Sequence, residues 1–144
     1  MKRIISAGLL VFMVILSVLP VYASGIESAS TKSGIMSPQF TAILSMSAGL
    51  SISSSGKATC AGSVTPSSDT YTADMTVSLE KSTSNGWSTI KSWTGSGTGY
   101  VGVAIEAYYY VTSGTYRVCT TVNIYNSSGT LLETESFYSA ERKY

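Results

Sequence analysis

The sequence predicts an all-β protein: an antiparallel two-sheet sandwich, immunoglobulin-like, with about seven strands and a helical signal peptide in front. Three observations predict it. Apolar and polar residues alternate along most of the chain beyond residue 37, the period of strands that bury one face. Turn signals rich in Gly, Ser and Asn break that alternation at intervals of roughly 8–12 residues. No segment beyond the N-terminal apolar run spaces its apolar residues at i, i+3 and i+4, as an amphipathic helix must.

At 144 residues the chain holds one domain. It opens with Met1-Lys2-Arg3, runs almost wholly apolar from Ile4 to Leu19, and continues Pro20-Val21-Tyr22-Ala23. A basic start, an apolar core and small residues before the cut describe a secretory signal peptide, residues 1–23, cleaved after Ala23. The apolar run is shorter than the roughly 20 residues of a spanning helix, so export rather than anchoring is the expectation. Residues 24–37 are small and polar and read as a flexible leader. The sandwich domain is assigned to 38–140 and a frayed polar tail to 141–144.

Within the domain, Phe40, Ala42, Leu44, Met46, Leu50 and Ile52 share one parity, giving a first strand bent or broken at Gly49 and serving both sheets. Lys57–Thr65 follows with Ala58, Cys60, Gly62 and Val64 inward. Tyr71–Glu80 alternates most cleanly, with Tyr71, Ala73, Met75, Val77 and Leu79 inward and Asp74 and Glu80 toward water. Asn85-Gly86 is a hairpin signal, after which Trp87–Thr94 returns with Trp87 and Trp93 on one face. Residues 95–99 read as a glycine-rich connection. Tyr100–Tyr125 reads as the organising hairpin, turning at 112–115, with Val101, Val103, Ile105, Ala107, Tyr109 and Val111 inward on one arm and Tyr116, Val118, Val122 and Ile124 on the other. Thr130–Ser139 is the last strand. A tyrosine opening a strand just after a Gly-Thr turn, as Tyr116 does, suits a tyrosine corner, in which its hydroxyl folds back onto the turn.

Removing residues 1–23 takes two bases and no acid, leaving seven bases against eight acids. So weak a charge excludes an electrostatic footprint for nucleic acid, and no membrane partner is expected once the leader is cut. Histidine is absent, which removes the usual general base, the commonest metal ligand and the serine-triad shuttle. Two cysteines without histidine do not make a structural zinc site. The glycine run at 95–99 lacks the lysine and the following helix of a phosphate loop. No catalytic residue, metal or cofactor is expected. Glu133 and Glu135 share a face, which is more the mark of a protected edge strand than of a cation site.

Export permits a disulfide between Cys60 and Cys119, worth about 4 kcal/mol in the chain-entropy picture. It is the favoured reading, on one condition. Cys60 has inward parity and Cys119 does not, so a bulge near Arg117 or Thr120 is needed to bring them to one face.

The leader, the Cys60 strand, the run from Leu79-Glu80-Lys81 through Asn85-Gly86-Trp87 to Ser92-Trp93, the turn Gly114-Thr115-Tyr116-Arg117-Val118 and the Glu133 strand carry a resemblance. Together they resemble a family of small exported proteins of Gram-positive bacteria, classed as a domain of unknown function. The likeness covers most of the chain beyond the leader. It implies bacterial secretion and a β fold, and it brings no activity.

Aromatic residues are the remaining candidates. Tyr100, Tyr108 and Tyr110 share the parity opposite Tyr109, and with Trp87 or Trp93 they would form a face that binds sugar rings or a protein. The alternative is a two-sided core: Tyr109, Tyr116 and one tryptophan are assigned there, while Tyr108 and Tyr110 stay open between core and surface. The expected function is therefore a secreted, non-catalytic binding module for protein or glycan at the cell surface. A secreted antagonistic effector and a carboxylate-dependent hydrolase are the alternatives.

Overall fold

A computed structural model describes residues 40–144; the signal peptide and leader lie outside the described residues. Eight strands occur among them, in the order β1 (Ile43–Ile52), β2 (Lys57–Pro66), β3 (Thr72–Thr83), β4 (Gly86–Thr98), β5 (Val103–Tyr110), β6 (Thr115–Tyr125), β7 (Leu131–Tyr138) and β8 (Arg142–Lys143). One sheet runs β1-β2-β5; the other runs β4-β3-β6-β7, with β8 continuing beyond β7 beside β6. All pairings are antiparallel. The fold is the predicted all-β, two-sheet antiparallel sandwich.

The core follows the alternation. Ala58, Cys60 and Val64 of β2 and Ala73, Met75, Val77 and Leu79 of β3 are almost completely buried, as are Tyr116, Val118, Val122 and Ile124 of β6. Burying each of these larger aliphatic side chains is worth about 1.5–3 kcal/mol. Hydroxyl pairs link neighbouring strands on the outer faces. Ser78 and Ser92 approach to 2.9 Å, Thr121 and Ser136 to 2.9 Å, and Ser47 and Ser63 to 2.7 Å across neighbouring strands. Such pairs each contribute roughly 0.2–1 kcal/mol to strand pairing and need no charge.

The organising hairpin is corrected. β5 pairs with β2 in one sheet and β6 with β3 in the other, so the segment from Val111 to Gly114 crosses between layers. Tyr116 secures the crossing: it is 1% exposed, and its hydroxyl donates to the Thr112 carbonyl at 2.7 Å. That is the tyrosine corner expected at this position.

Bulges account for the other corrections. A register shift at β1 between Ile43 and Ser45 puts Ile43 in the core and leaves Leu44 56% exposed. Beyond it β1 runs unbroken through Gly49 and pairs with β2 alone. A second shift leaves Ile90 unpaired, since Leu79 faces Lys91 while Glu80 faces Thr89. This extra residue turns Trp87 to the outer face and Trp93 to the core. Residues 95–98 are not a connection but the end of β4, paired with β3 from Met75 to Thr72. Gly95 and Gly97 there let β5 approach: a Cβ on Gly95 would sit 3.2 Å from Val103 and 3.3 Å from Ile105. Val101 belongs to a short 3-10 turn, Gly99–Val101, and is 93% exposed. The tail is also structured. Arg142 and Lys143 pair with Tyr116 and Thr115 as β8, and Tyr144 exchanges both backbone hydrogen bonds with Gly114.

Thr120 occupies an inward position at 0% exposure, and its hydroxyl has no hydrogen-bond partner. It lies against Gly62 of the facing sheet. An unsatisfied buried hydroxyl costs about 1–3 kcal/mol. Thr120→Val, nearly the same shape without that group, is therefore expected to raise the urea midpoint or leave it unchanged. A fall would show that the hydroxyl is bonded in solution.

Candidate recognition site

The alternating strand directions bring four features to one end of the sandwich: the β1–β2 turn, the β3–β4 turn, the β5–β6 crossing and the chain end after β8. Three consecutive tyrosines close β5 there. Tyr108 is 59% exposed, Tyr109 40% and Tyr110 62%. Neighbouring strand residues point to opposite faces, so exposure of all three means that neither face of this strand end is covered. Tyr109, assigned above to the core, is thus at the surface. β5 is an edge strand, paired on one side by β2 and open on the other.

Tyr108 and Tyr110 meet edge-to-face with ring centroids 6.2 Å apart. The Lys57 ammonium lies 4.3 Å from the centre of the Tyr108 ring, a cation–π arrangement that keeps a charge at the aromatic surface. Behind them Lys81, Ile90, Tyr109, Tyr110 and Tyr116 border a cleft of about 220 Å³. Lys81 reaches across it, with its ammonium 3.5 Å from the Thr112 hydroxyl and 5.5 Å from the centre of the Tyr116 ring. Lys57, Lys81 and Ile90 were not among the candidates read from the sequence. The signal for them was present: in antiparallel strands, the start of β2 and the end of β3 lie at the same end.

The other predicted aromatics go elsewhere. Tyr100 is 62% exposed but lies in the turn before β5, at the opposite end. Trp93 packs against the core. Trp87 lies on the outer face of the β4-β3-β6-β7 sheet, where the Arg117 guanidinium is 4.3 Å from its ring centre and 4.2 Å from that of Tyr138. Arg117 also donates from Nε to Glu80 at 2.7 Å. Trp87 is therefore committed to a ring–guanidinium–ring stack and does not join the tyrosines.

The Cys60–Cys119 bond is also corrected: both thiols are free and buried. The β3–β6 ladder keeps one register from Thr72 to Lys81, so no bulge rotates Cys119 inward. Cys60 faces the core; Cys119 faces outward beneath Tyr138, its partner across the strands. The neighbouring Cys119, burial and a hydrogen bond to the Cys119 thiol hold the Tyr138 phenol above its usual pKa, against the pull of Arg117. Burial pushes the Cys60 thiol from 9.0 up to about 11. The folded chain thus keeps this proton after the unfolded chain has lost it, so the contribution of Cys60 to stability is intact below pH 9.0 and falls as pH rises toward about 11. In native protein at pH 8, Cys60 is expected to resist alkylation, and unfolding without reductant should release two reactive thiols. A single mass lacking two hydrogens would instead reveal a bond.

A second, polar cleft, about 390 Å³, is bordered by Asp74, Ser96 and Asn123 on the outer face. Asp74 accepts a hydrogen bond from the Ser96 hydroxyl. It is the one carboxylate bordering this cleft, whereas glycoside hydrolysis by carboxylates uses two. Glu133 accepts from the Ala42 amide at 2.7 Å on edge strand β7. Among the described residues, no group of three or more acidic or cysteine side chains is placed to hold a metal ion. The Asn126 side chain accepts from the Ser128 and Thr130 amides, closing the β6–β7 turn.

No family model matches the chain, and no curated protein matches it. Among solved structures it is similar to part of Bacteroides uniformis β-glucuronidase 2, in a structure covalently bound to cyclophellitol-6-carboxylate aziridine. The identity is 18% over 66% of this chain and 13% of that chain, with a TM-score of 0.38.

Proposed function

We propose that the chain is an exported, non-catalytic recognition module that engages a protein or glycan at the bacterial cell surface through its tyrosine-rich end. The observation that carries this reading is the simultaneous exposure of Tyr108, Tyr109 and Tyr110. Tyrosine offers a rigid apolar ring and a hydroxyl at low conformational cost, which is why it is favoured at binding surfaces. The leader Met1–Ala23 supports export, and the resemblance to small exported proteins agrees with it.

The test uses the mature protein on a glycan array and in pull-downs against intact bacterial cells. The Tyr108→Ala/Tyr110→Ala variant is expected to lose the signal while its melting temperature stays close to that of the parent, because both rings are exposed and such substitutions usually move stability by less than about 0.5 kcal/mol. Unchanged binding by the variant, or none by the parent, would end this reading.

A further inference from the structure

The described residues are charged unequally along the sandwich. All six of their bases, Lys57, Lys81, Lys91, Arg117, Arg142 and Lys143, lie in the half that carries the tyrosines. Two acids accompany them: Glu80, bound to Arg117, and Glu141. The other half and the waist hold Asp69, Asp74, Glu106, Glu133 and Glu135 with no base. A nearly neutral domain is therefore an electric dipole with a surplus of four positive side-chain charges at one end. The sequence total hid this, because bases at the starts of β2 and β6 and the end of β3 coincide only after the strands alternate direction.

The excess is available to a ligand. Arg117–Glu80 is the single ion pair among the described residues, which leaves Lys57 and Lys81 without a carboxylate partner. Both stand at the tyrosines, Lys57 against Tyr108 and Lys81 across the cleft from Tyr109. Cations beside exposed rings match a ligand that presents flat, partly apolar rings and anionic groups together. Potentials of this kind act within a Debye length of about 8 Å at physiological salt, so they select by charge at contact.

We infer that the ligand of the tyrosine-rich end is an anionic glycan, its sugar rings on Tyr108 and Tyr110 and its acidic groups at Lys57 and Lys81. This rests on the recognition reading above and narrows it. Single-stranded nucleic acid also joins rings to charge, but it binds along a groove with successive stacking platforms, and here the tyrosines form one cluster at a strand end. Export also points away from it.

Binding of the mature protein is measured by calorimetry against polygalacturonate, its fully methyl-esterified form, inorganic polyphosphate and oligo-deoxythymidylate. Polygalacturonate is expected to bind and to weaken as salt rises. Lys57→Gln/Lys81→Gln should raise its Kd by about tenfold or more, as should Tyr108→Ala/Tyr110→Ala. The esterified polymer should bind at least about tenfold more weakly than the acid. Far-ultraviolet spectra of each variant confirm folding.

Equal binding of acid and ester would overturn the inference and leave the recognition reading standing. Polyphosphate binding as tight as polygalacturonate and indifferent to the tyrosines would show charge acting alone and overturn it. So would tighter oligo-deoxythymidylate binding, salt-sensitive self-association with no glycan uptake, or no binding to any probe. Loss of all signal on arrays and cells would remove the recognition reading as well.

Discussion

Replacing Tyr116 with alanine is expected to lower the free energy of unfolding by about 3–5 kcal/mol, the range for large aromatics removed from a core. Tyr116 is 1% exposed and among the largest fully buried side chains. Its hydroxyl fastens the crossing between sheets to the Thr112 carbonyl at 2.7 Å. Tyr116→Phe keeps the ring and loses that bond, so it should cost only about 1 kcal/mol. Urea titration of both variants separates the contributions. If phenylalanine cost as much as alanine, the hydroxyl rather than the ring would dominate, contrary to the packing described.

Gly102→Ala should be nearly as severe, with a loss of about 3 kcal/mol or more. Gly102 closes the turn from β4 into β5 at φ 61° and ψ −150°, a region that residues with a Cβ scarcely occupy. A Cβ there would also overlap the Val64 carbonyl oxygen of β2. Strain and collision act together, and the obstacle is backbone, which cannot rotate away. With a urea dependence of about 1–3 kcal/mol per molar, the midpoint should fall by roughly 1 M or more. A change too small to resolve would mean that the turn relaxes to another conformation.

How far the sequence was legible follows from what parity can encode. Strict alternation in Tyr71–Glu80 identified β3 and its buried face, because a period of two has one structural meaning. The same rule identified Tyr116, Val118, Val122 and Ile124. Parity does not say which sheet a strand joins. Val103–Tyr110 and Thr115–Tyr125 look like a hairpin because strands adjacent in sequence usually pair; here they lie in different sheets, β5 opposite β4 and β6 opposite β1 and β2. Nor does it reveal bulges. Single extra residues at Leu44 and Ile90 reversed the facing of Leu44 and Trp87. For the candidate site, Tyr108 and Tyr110 were found from their parity. Lys57 and Lys81 were missed because their meeting depends on strand direction in three dimensions. The disulfide turned on a bulge, and the parity of Cys119 had already marked its absence as the obstacle.

The stitching of Tyr144 to Gly114 has a practical corollary. Any polypeptide appended after Tyr144, whether an affinity handle or a fused reporter, emerges among the exposed rings and lysines, whereas one placed ahead of Phe40 emerges at the far end. Immobilisation through the C-terminus would bury the tyrosine-rich surface in the matrix. Two otherwise identical preparations would then disagree about whether this domain adheres to anything.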